Sequence, residues 1–410
     1  MSRINKLIRK LCPNGVEYKK VWQITTWDKK YNSVDKYMQP KIRKYNYLLA
    51  NQLNEIIVDN GDVFILETGI NNTKKYTNED LAGDNLCNGE IIAIPWGGTP
   101  NVKYYNGKFV TGDNRIAVSN DINVLNTKFL YYIFENKMNE IADFYRGSGI
   151  KHPEMKKVLN LDIPVPPIKV QEEIVRILDK FGELEAELEA ELEARKSQYE
   201  FWRGKLLKRN NEIKKLSEVS DVIDSLHATP QYVENGYPMI RVADVKGGIV
   251  NTTEALRVDV ETYNKFISKY KPQKGDIIIS RVGSFGNLCI VGDEDMCLGQ
   301  NTSIIHPKIN DKYLYYYLSS DIVQDWIKNN VNGSGYKSLS LANINEIPIA
   351  VPSIQEQQKV ANILGQFDKL VNSISEGLPA EIELRRQQYE YYRNKLLSFE
   401  ELYYEWFIRW

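Results

Sequence analysis

The stretch PPIKVQEEIVRILDKF, Pro166 to Phe181, returns as PSIQEQQKVANILGQF, Pro352 to Phe367, 186 residues later. The match extends in both directions. Ahead of it, Gly147-Ser-Gly-Ile-Lys151 answers Gly333-Ser-Gly-Tyr-Lys337 at the same offset. Behind it, Gln198-Tyr-Glu-Phe-Trp-Arg-Gly-Lys-Leu-Leu207 answers Gln388-Tyr-Glu-Tyr-Tyr-Arg-Asn-Lys-Leu-Leu397. A period this long is a whole domain with its connector and not a solenoid unit of roughly 20–50 residues. The duplication predicts an α+β chain of two similar globular domains, joined by two long helices in an antiparallel coiled coil with pseudo-two-fold symmetry. The expected boundaries are 1–160, 161–210 (first helical region), 211–346 and 347–410 (second helical region and aromatic tail).

Each half has the same order. Short β-type runs, Gly61-Asp-Val-Phe-Ile-Leu66 and Glu90-Ile-Ile-Ala-Ile94, alternate with Asn/Gly-rich turns. Helical spacing then predicts one helix over Thr127–Tyr145, and Asp311–Asn330 is its match. In the connector, Val170, Ile174, Ile177, Phe181, Leu184 and Leu188 alternate spacings of three and four, and Leu192, Tyr199, Trp202 and Leu206 follow after one slip. That seam predicts a helix from about Val170 to Leu207, roughly 55 Å long. The second connector carries Val360, Ile363, Phe367, Leu370 and Ile374, then Tyr389, Tyr392 and Leu396, but Gly377 and Pro379 should break it.

Composition narrows the function. The chain of 410 residues is 42% hydrophobic and 26% charged, with net charge −1, as expected of a globular protein without membrane spans. No apolar leader follows Met1, so no signal peptide is expected and the expected location is cytoplasmic. Cys12, Cys87, Cys289 and Cys297 form no Cys-x-x-Cys pair and only three histidines accompany them, so neither disulfides nor a structural metal is expected. Charge is unevenly placed: residues 1–160 hold 23 Lys+Arg against 17 Asp+Glu, and residues 161–207 hold 7 against 11. Phosphate contacts, if the chain binds DNA, must then come mainly from the first domain.

The candidate contacts are loops mixing cations, amides and aromatics, side chains that suit phosphates and base edges. In the first domain these are Lys29, Lys30 and Asn32; Asn72, Lys74 and Lys75; Trp96, Thr99 and Asn101; Asn114 and Arg115; and Lys151 of the Gly-Ser-Gly loop. In the second they are Arg241, Arg281, Ser284, Asn287, Gln300, Asn301 and Lys337. No P-loop, dinucleotide fingerprint or paired metal ligands occur, so no catalytic residues are expected. The Ser225-Leu-His-Ala-Thr-Pro230 stretch reads as turn or surface. The Leu-Glu-Ala-Glu tetrads at Leu184, Leu188 and Leu192 read as an acidic helix face or as a spacer adjustable by whole tetrads.

Taken together, the chain resembles the specificity subunit of type I restriction–modification systems. The resemblance rests on Cys12-Pro-Asn-Gly-Val-Glu-Tyr18, Ile163-Pro-Val-Pro-Pro167, Thr229-Pro-Gln-Tyr-Val-Glu-Asn-Gly-Tyr-Pro-Met-Ile-Arg241 and Val351-Pro-Ser-Ile-Gln-Glu-Gln357, in that order. Ala350 and Ser353 stand where the first copy has Pro164 and Pro167. It implies that each variable domain reads one half of a bipartite double-stranded DNA target and that the helices set the gap. Methyltransferase subunits, two in number, would dock on the helical scaffold, and restriction subunits would add to that core. Phe181, Tyr199, Trp202, Phe367, Tyr389 and Tyr392 are the candidate interface. S-adenosylmethionine, ATP and Mg²⁺ are expected on those partners. The open alternatives are a coiled-coil scaffold that binds protein without reading DNA, and an enzyme whose site is unrecognised.

Overall fold

The computed structural model describes residues 3–70, 74–208, 212–331, 337–373 and 375–401. The expectations for Asn72, Gly333 to Tyr336, Ile374 and the tail Tyr403–Trp410 lie outside them. The chain divides into two units, Met1–Glu187 with Glu383–Trp410, and Leu188–Ile382.

The first unit is built on a six-stranded sheet of β1 (Thr25–Trp27), β2 (Val63–Leu66), β3 (Tyr76–Thr77), β4 (Cys87–Pro95), β5 (Lys103–Thr111) and β6 (Asn114–Ser119), in the order β1-β6-β4-β5-β2-β3. The sheet curls strongly. Cys87 at the start of β4 pairs with Phe109, yet Pro95 at its end pairs with Asn114, only five residues further along the chain. That curl brings the β4–β5 loop and the start of β6 to one edge. Behind the sheet lies α1 (Thr127–Asn136), capped by the Asn126 side chain, which accepts the Phe129 N–H at 2.9 Å.

The second unit carries the same order in different sheets. β7 (Ser220–Asp224), β10 (Ile277–Ser280), β11 (Leu288–Ile290) and β13 (Thr302–Pro307) form a four-stranded sheet, β7-β13-β10-β11. β8 (Tyr237–Ile240), β9 (Arg257–Val258) and β12 (Cys297–Leu298) form a second, β9-β8-β12. Its helix α3 (Asp311–Leu318) is capped by Asn310.

Both predicted terminal helices are shorter than their apolar spacing suggested. Thr127–Asn136 ends at Lys137 and a separate turn runs Met138–Ala142, while Asp311–Leu318 is parted from Asp321–Asn329 at Ser319 and Ser320. The serines explain the second break: the Ser319 and Ser320 hydroxyls donate to the carbonyls of Tyr315 and Tyr317.

The long helices are present. α2 runs Ile168–Leu207, 40 residues, and the second connector is split into α4 (Ile354–Asn372) and α5 (Leu378–Leu397). Gly377 sits at the break because a Cβ there would lie 2.5 Å from the Lys369 carbonyl oxygen. Within the first unit, Phe181 meets Tyr389 and Tyr392, and Glu185 pairs with Arg386, so α2 and α5 run antiparallel. Within the second unit, Tyr199 of α2 meets Phe367 of α4.

The repeat also explains why glutamine recurs at its centre. Gln171 is wholly buried; its Oε1 accepts the Asn126 N–H at 2.9 Å, and its Nε2 donates to Val124 and Pro166 carbonyls at 2.8 and 2.7 Å. Gln357 does the same, accepting the Asn310 N–H at 3.0 Å and donating to the Pro352 carbonyl at 2.8 Å. In each unit one glutamine ties the cap of the domain helix to the start of the long helix.

Candidate nucleic-acid interface

In the first unit the candidate residues converge on the indole of Trp96. The Arg115 guanidinium lies 4.4 Å and the Lys29 ammonium 5.2 Å from its ring centre, and the His152 ring is 5.1 Å away. Backbone bonds hold the loops together: Trp96 N–H donates to Asp113 O at 3.0 Å, and Gly98 N–H to Lys151 O at 3.2 Å. Gly147 turns the Gly-Ser-Gly loop at φ +144°, where a Cβ would lie 2.7 Å from the Ile150 carbonyl oxygen. Lys29 and Lys151 of this cluster are exposed, as are Lys30, Asn32 and Thr99 of the same loops, and Lys74.

Not every candidate faces outward. Asn114 and Arg115, expected at the DNA surface, are 3% and 2% exposed and belong to the interior. Arg115 pairs with Asp28 at 3.3 Å and Asp113 at 2.6 Å, and Tyr31 O–H donates to Asp28 at 2.9 Å. Burial pushes the Asp28 carboxyl above its ordinary value, against the opposing pull of Arg115. Asn114 braces the turn, its Nδ2 donating to Leu66 O at 3.0 Å. Asn101 likewise spans Thr68 O and Thr99 O. Half-buried Lys75 is ion-paired with Glu67 at 2.8 Å. Nearby, burial pulls the Lys103 ammonium down to about 8.

The second unit gathers its candidates around Asp224, at the end of β7. Arg281 binds this carboxylate through Nη1 and donates from Nε to Leu339 O at 3.1 Å. Arg281 N–H donates to Asn301 O at 2.8 Å, with Asn301 at φ +64°. Leu339 N–H returns a bond to Arg281 O, which sets exposed Lys337 beside this loop. Burial opposes ionisation of Asp224, but hydrogen bonds from Arg281, His227 and Ser303 outweigh it and hold the carboxyl below its ordinary value. Arg241 is closed onto Asp244 at 3.0 and 3.2 Å. Ser284, Asn287 and Gln300 are exposed, and Gln300 reaches Thr229 at 3.3 Å. Arg115, Arg241 and Arg281 therefore order their loops through carboxylates, whereas the free polar surface belongs to the lysines and amides beside them.

The helical candidates divide in the same way. Tyr199 is buried in the second core, and Phe181, Phe367 and Tyr389 are half-buried in contacts within their own units. Trp202 and Tyr392 are exposed, at 38% and 41%. Their neighbours Phe201 and Tyr391, which sequence reasoning passed over, are 61% and 58% exposed. They occupy matching places in the repeated Gln-Tyr-Glu motif, two residues after its tyrosine, and Lys205 and Lys395 lie over them at 5.8 and 5.4 Å.

Comparison with known proteins decides the family. A model of the type I restriction modification DNA specificity domain matches twice, at residues 29–194 and 208–384. The chain belongs to the type I restriction–modification specificity family. A putative type I restriction enzyme specificity subunit of Haemophilus influenzae is 32% identical over 76% of this chain and 83% of its own length. A type I restriction enzyme specificity subunit of Escherichia coli is 32% identical over 70% of this chain and 74% of its own. The fold matches the S subunit of a type I system from M. genitalium, with TM-score 0.60 and 17% identity over 93% of this chain and 96% of that one. It also matches a chain from the assembled type I R-M system, with TM-score 0.56 and 12% identity over 94% and 98%. Specificity subunits are the non-catalytic members of these systems. Among the described residues, no helix is long and apolar enough to cross a membrane.

Proposed function

We propose that this chain recognises a bipartite DNA sequence, each unit reading one half, and directs methyltransferase and restriction subunits to it. The observation that carries the reading is the double clustering: in each unit, loops distant in sequence bring lysines and amides around an ordered Arg–Asp pair. Cations would position the duplex through phosphates, and the amides would read base edges. Two methyltransferase subunits would dock on α2, α4 and α5, where Phe201–Trp202 and Tyr391–Tyr392 offer matching exposed aromatic pairs. S-adenosylmethionine, ATP and Mg²⁺ belong to those partners in this reading, and the assembly works in the cytoplasm.

The test is to co-express the chain with the methyltransferase encoded beside it and map methylated bases across the host DNA. A split motif with a fixed gap, lost when the chain is omitted, is the expected result. Exchanging residues 1–160 for those of a relative should alter one half alone. A stable complex without chain-dependent methylation would instead favour a protein-binding scaffold.

A further inference from the structure

From Lys36 to Asn54 the chain holds four cations, Lys36, Lys41, Arg43 and Lys44, and no acidic residue. This segment lies at the first unit's surface but is firmly held. Gln39, 4% exposed, starts it by accepting the Tyr31 N–H and donating to Lys29 O, both at 2.9 Å. Ile42 bridges Trp27 in parallel, and Arg43 N–H donates to Trp27 O at 2.9 Å. Asn46 then reaches Asp84 O and Leu48 N–H reaches Thr111 O, again at 2.9 Å. Ile42, Tyr45 and Leu48 turn toward the sheet, while Lys41, Arg43, Lys44 and Tyr47 are exposed.

Charge pairing divides the first unit's cations, and among the described residues these fall on the unpaired side with exposed Lys29, Lys30, Lys74 and Lys151. In the same unit Lys75, Lys108, Arg115 and Lys128 all face carboxylates. Among the described residues no carboxylate pairs with Lys41, Arg43 or Lys44, although Arg43 keeps one hydrogen bond to Asn88 O at 3.2 Å. A run of unneutralised cations, tied down by backbone hydrogen bonds and one isolated β-bridge, is suited to a polyanion. At ~3.3 Å per residue, Lys41 and Arg43 stand roughly 7 Å apart, about twice the 3.4 Å axial rise per phosphate of one DNA strand. A polar cleft of about 470 Å³ opens beside them, lined among others by Gln23, Thr26 and Asn120. In the second unit residues 208–346 hold 16 Lys+Arg against 17 Asp+Glu, and in the span between its first sheet strand and β10 Arg241, Lys271 and Lys274 face carboxylates.

We propose that residues 39–49 form a strap that tracks the DNA phosphate backbone, making the first unit the electrostatic anchor of the two. This rests on the DNA-reading function proposed above. Duplex binding by the methyltransferase complex would be measured from 50 to 200 mM salt, for the wild type and for Lys41→Gln/Arg43→Gln/Lys44→Gln. Three lost phosphate contacts should lower the salt slope by about 2.7, on cognate and random duplexes alike. The methylated motif should not change. Lys246→Gln/Lys265→Gln/Lys269→Gln in the second unit should lower the slope by less than about 1.

An unchanged slope in the first triple variant, while the wild type binds DNA, overturns the strap and leaves the DNA reading standing. So does loss of complex assembly with an unchanged slope, which would assign the segment to an acidic protein partner. An equal fall from the second-unit variant overturns the anchoring. A wild-type complex with no salt-dependent affinity removes both readings. Arg43→Gln alone, expected to lower the slope by about 0.9, keeps the test valid if the triple variant misfolds.

Discussion

Arg115 separates an ordering role from a reading role. In Arg115→Met, Asp28 keeps the Tyr31 hydroxyl and the Ile116 N–H but loses its buried cation. The least costly response is protonation. From an ordinary value of about 3.9, protonating a carboxyl takes roughly 4 kcal/mol at pH 7 and roughly 1.5 at pH 5. Those figures bound the electrostatic part of the loss. A carboxyl whose folded pKa is raised, as burial already raises that of Asp28, stabilises the fold fully below its unfolded value. It loses that contribution as pH rises through the folded value. The variant should therefore be destabilised more at pH 7 than at pH 5, by up to about 2.7 kcal/mol. Asp28→Asn/Arg115→Met removes both charges and should be less sensitive to pH and more stable than the single variant at pH 7. Urea unfolding at the two pH values gives the energies, and hydrogen exchange across residues 25–31 and 113–118 locates the loss. Equal destabilisation at both pH values would refute the argument, as would a double variant no more stable than the single. Since Arg115 is 2% exposed, a folded double variant should also direct methylation to an unchanged motif.

Gln171→Met removes three buried hydrogen bonds and Gln357→Met two, so at ~1 kcal/mol each the first should lose about 3 and the second about 2. Hydrogen exchange around residues 124–130 and 308–314 reads them separately, and equal losses would count against the clamp. Phe201→Ala and Tyr391→Ala, the more exposed member of each pair, should weaken co-purification with the methyltransferase and leave thermal unfolding nearly unchanged. Tyr199→Ala should instead destabilise the second unit by ~3–5 kcal/mol, and comparable unfolding by all three variants would contradict this division. Deleting Leu188–Glu191 shortens α2 by about 6 Å and should narrow the gap in the methylated motif by one or two base pairs; an unchanged gap would refute the spacer reading.

The long helices were legible because their signal is periodic and local. Val170, Ile174, Tyr199 and Val360 of the read seams are buried, and the break at Gly377 falls where glycine and proline stand together. The break at Ser319 was not legible, because the apolar spacing continues across it while the Ser319 and Ser320 hydroxyls take up helix carbonyls, and at Lys137 the spacing likewise runs on across the break. At the candidate interface, residue type located the right loops but not the direction of each side chain. Arg115 and Lys29 stand beside the same indole, yet one is interior and the other exposed. That difference is set by Asp28, 87 residues from Arg115 in sequence. Segment 36–49 was passed over because its cations are spread among apolar residues, although its lack of acids is plain in the sequence.

The two units show which parts of the repeat physics holds fixed. Thr25 and Ser220 each donate a hydroxyl to the carbonyl four residues back, and Asn126 and Asn310 each cap a helix tied to a buried glutamine. These bonds define a frame. At the tips, an aspartate withdrawn from water, buried Asp28 or half-buried Asp224, needs a cation, but the cation can come from any strand that reaches it. Gly112-Asp-Asn-Arg115 aligns with Gly299-Gln-Asn-Thr302, so the second copy has Thr302 where the first has its arginine. Gly61-Asp-Val-Phe-Ile-Leu-Glu67 aligns with Gly275-Asp-Ile-Ile-Ile-Ser-Arg281, so the second copy supplies Arg281 where the first has an acid. Asp28 and Asp224 are nevertheless both neutralised. A frame that fixes the acid and leaves open the source of its partner lets the surrounding loops change without unfolding the unit. In the reading proposed above, that is the property required of a surface whose DNA sequence preference differs between the two copies of one domain.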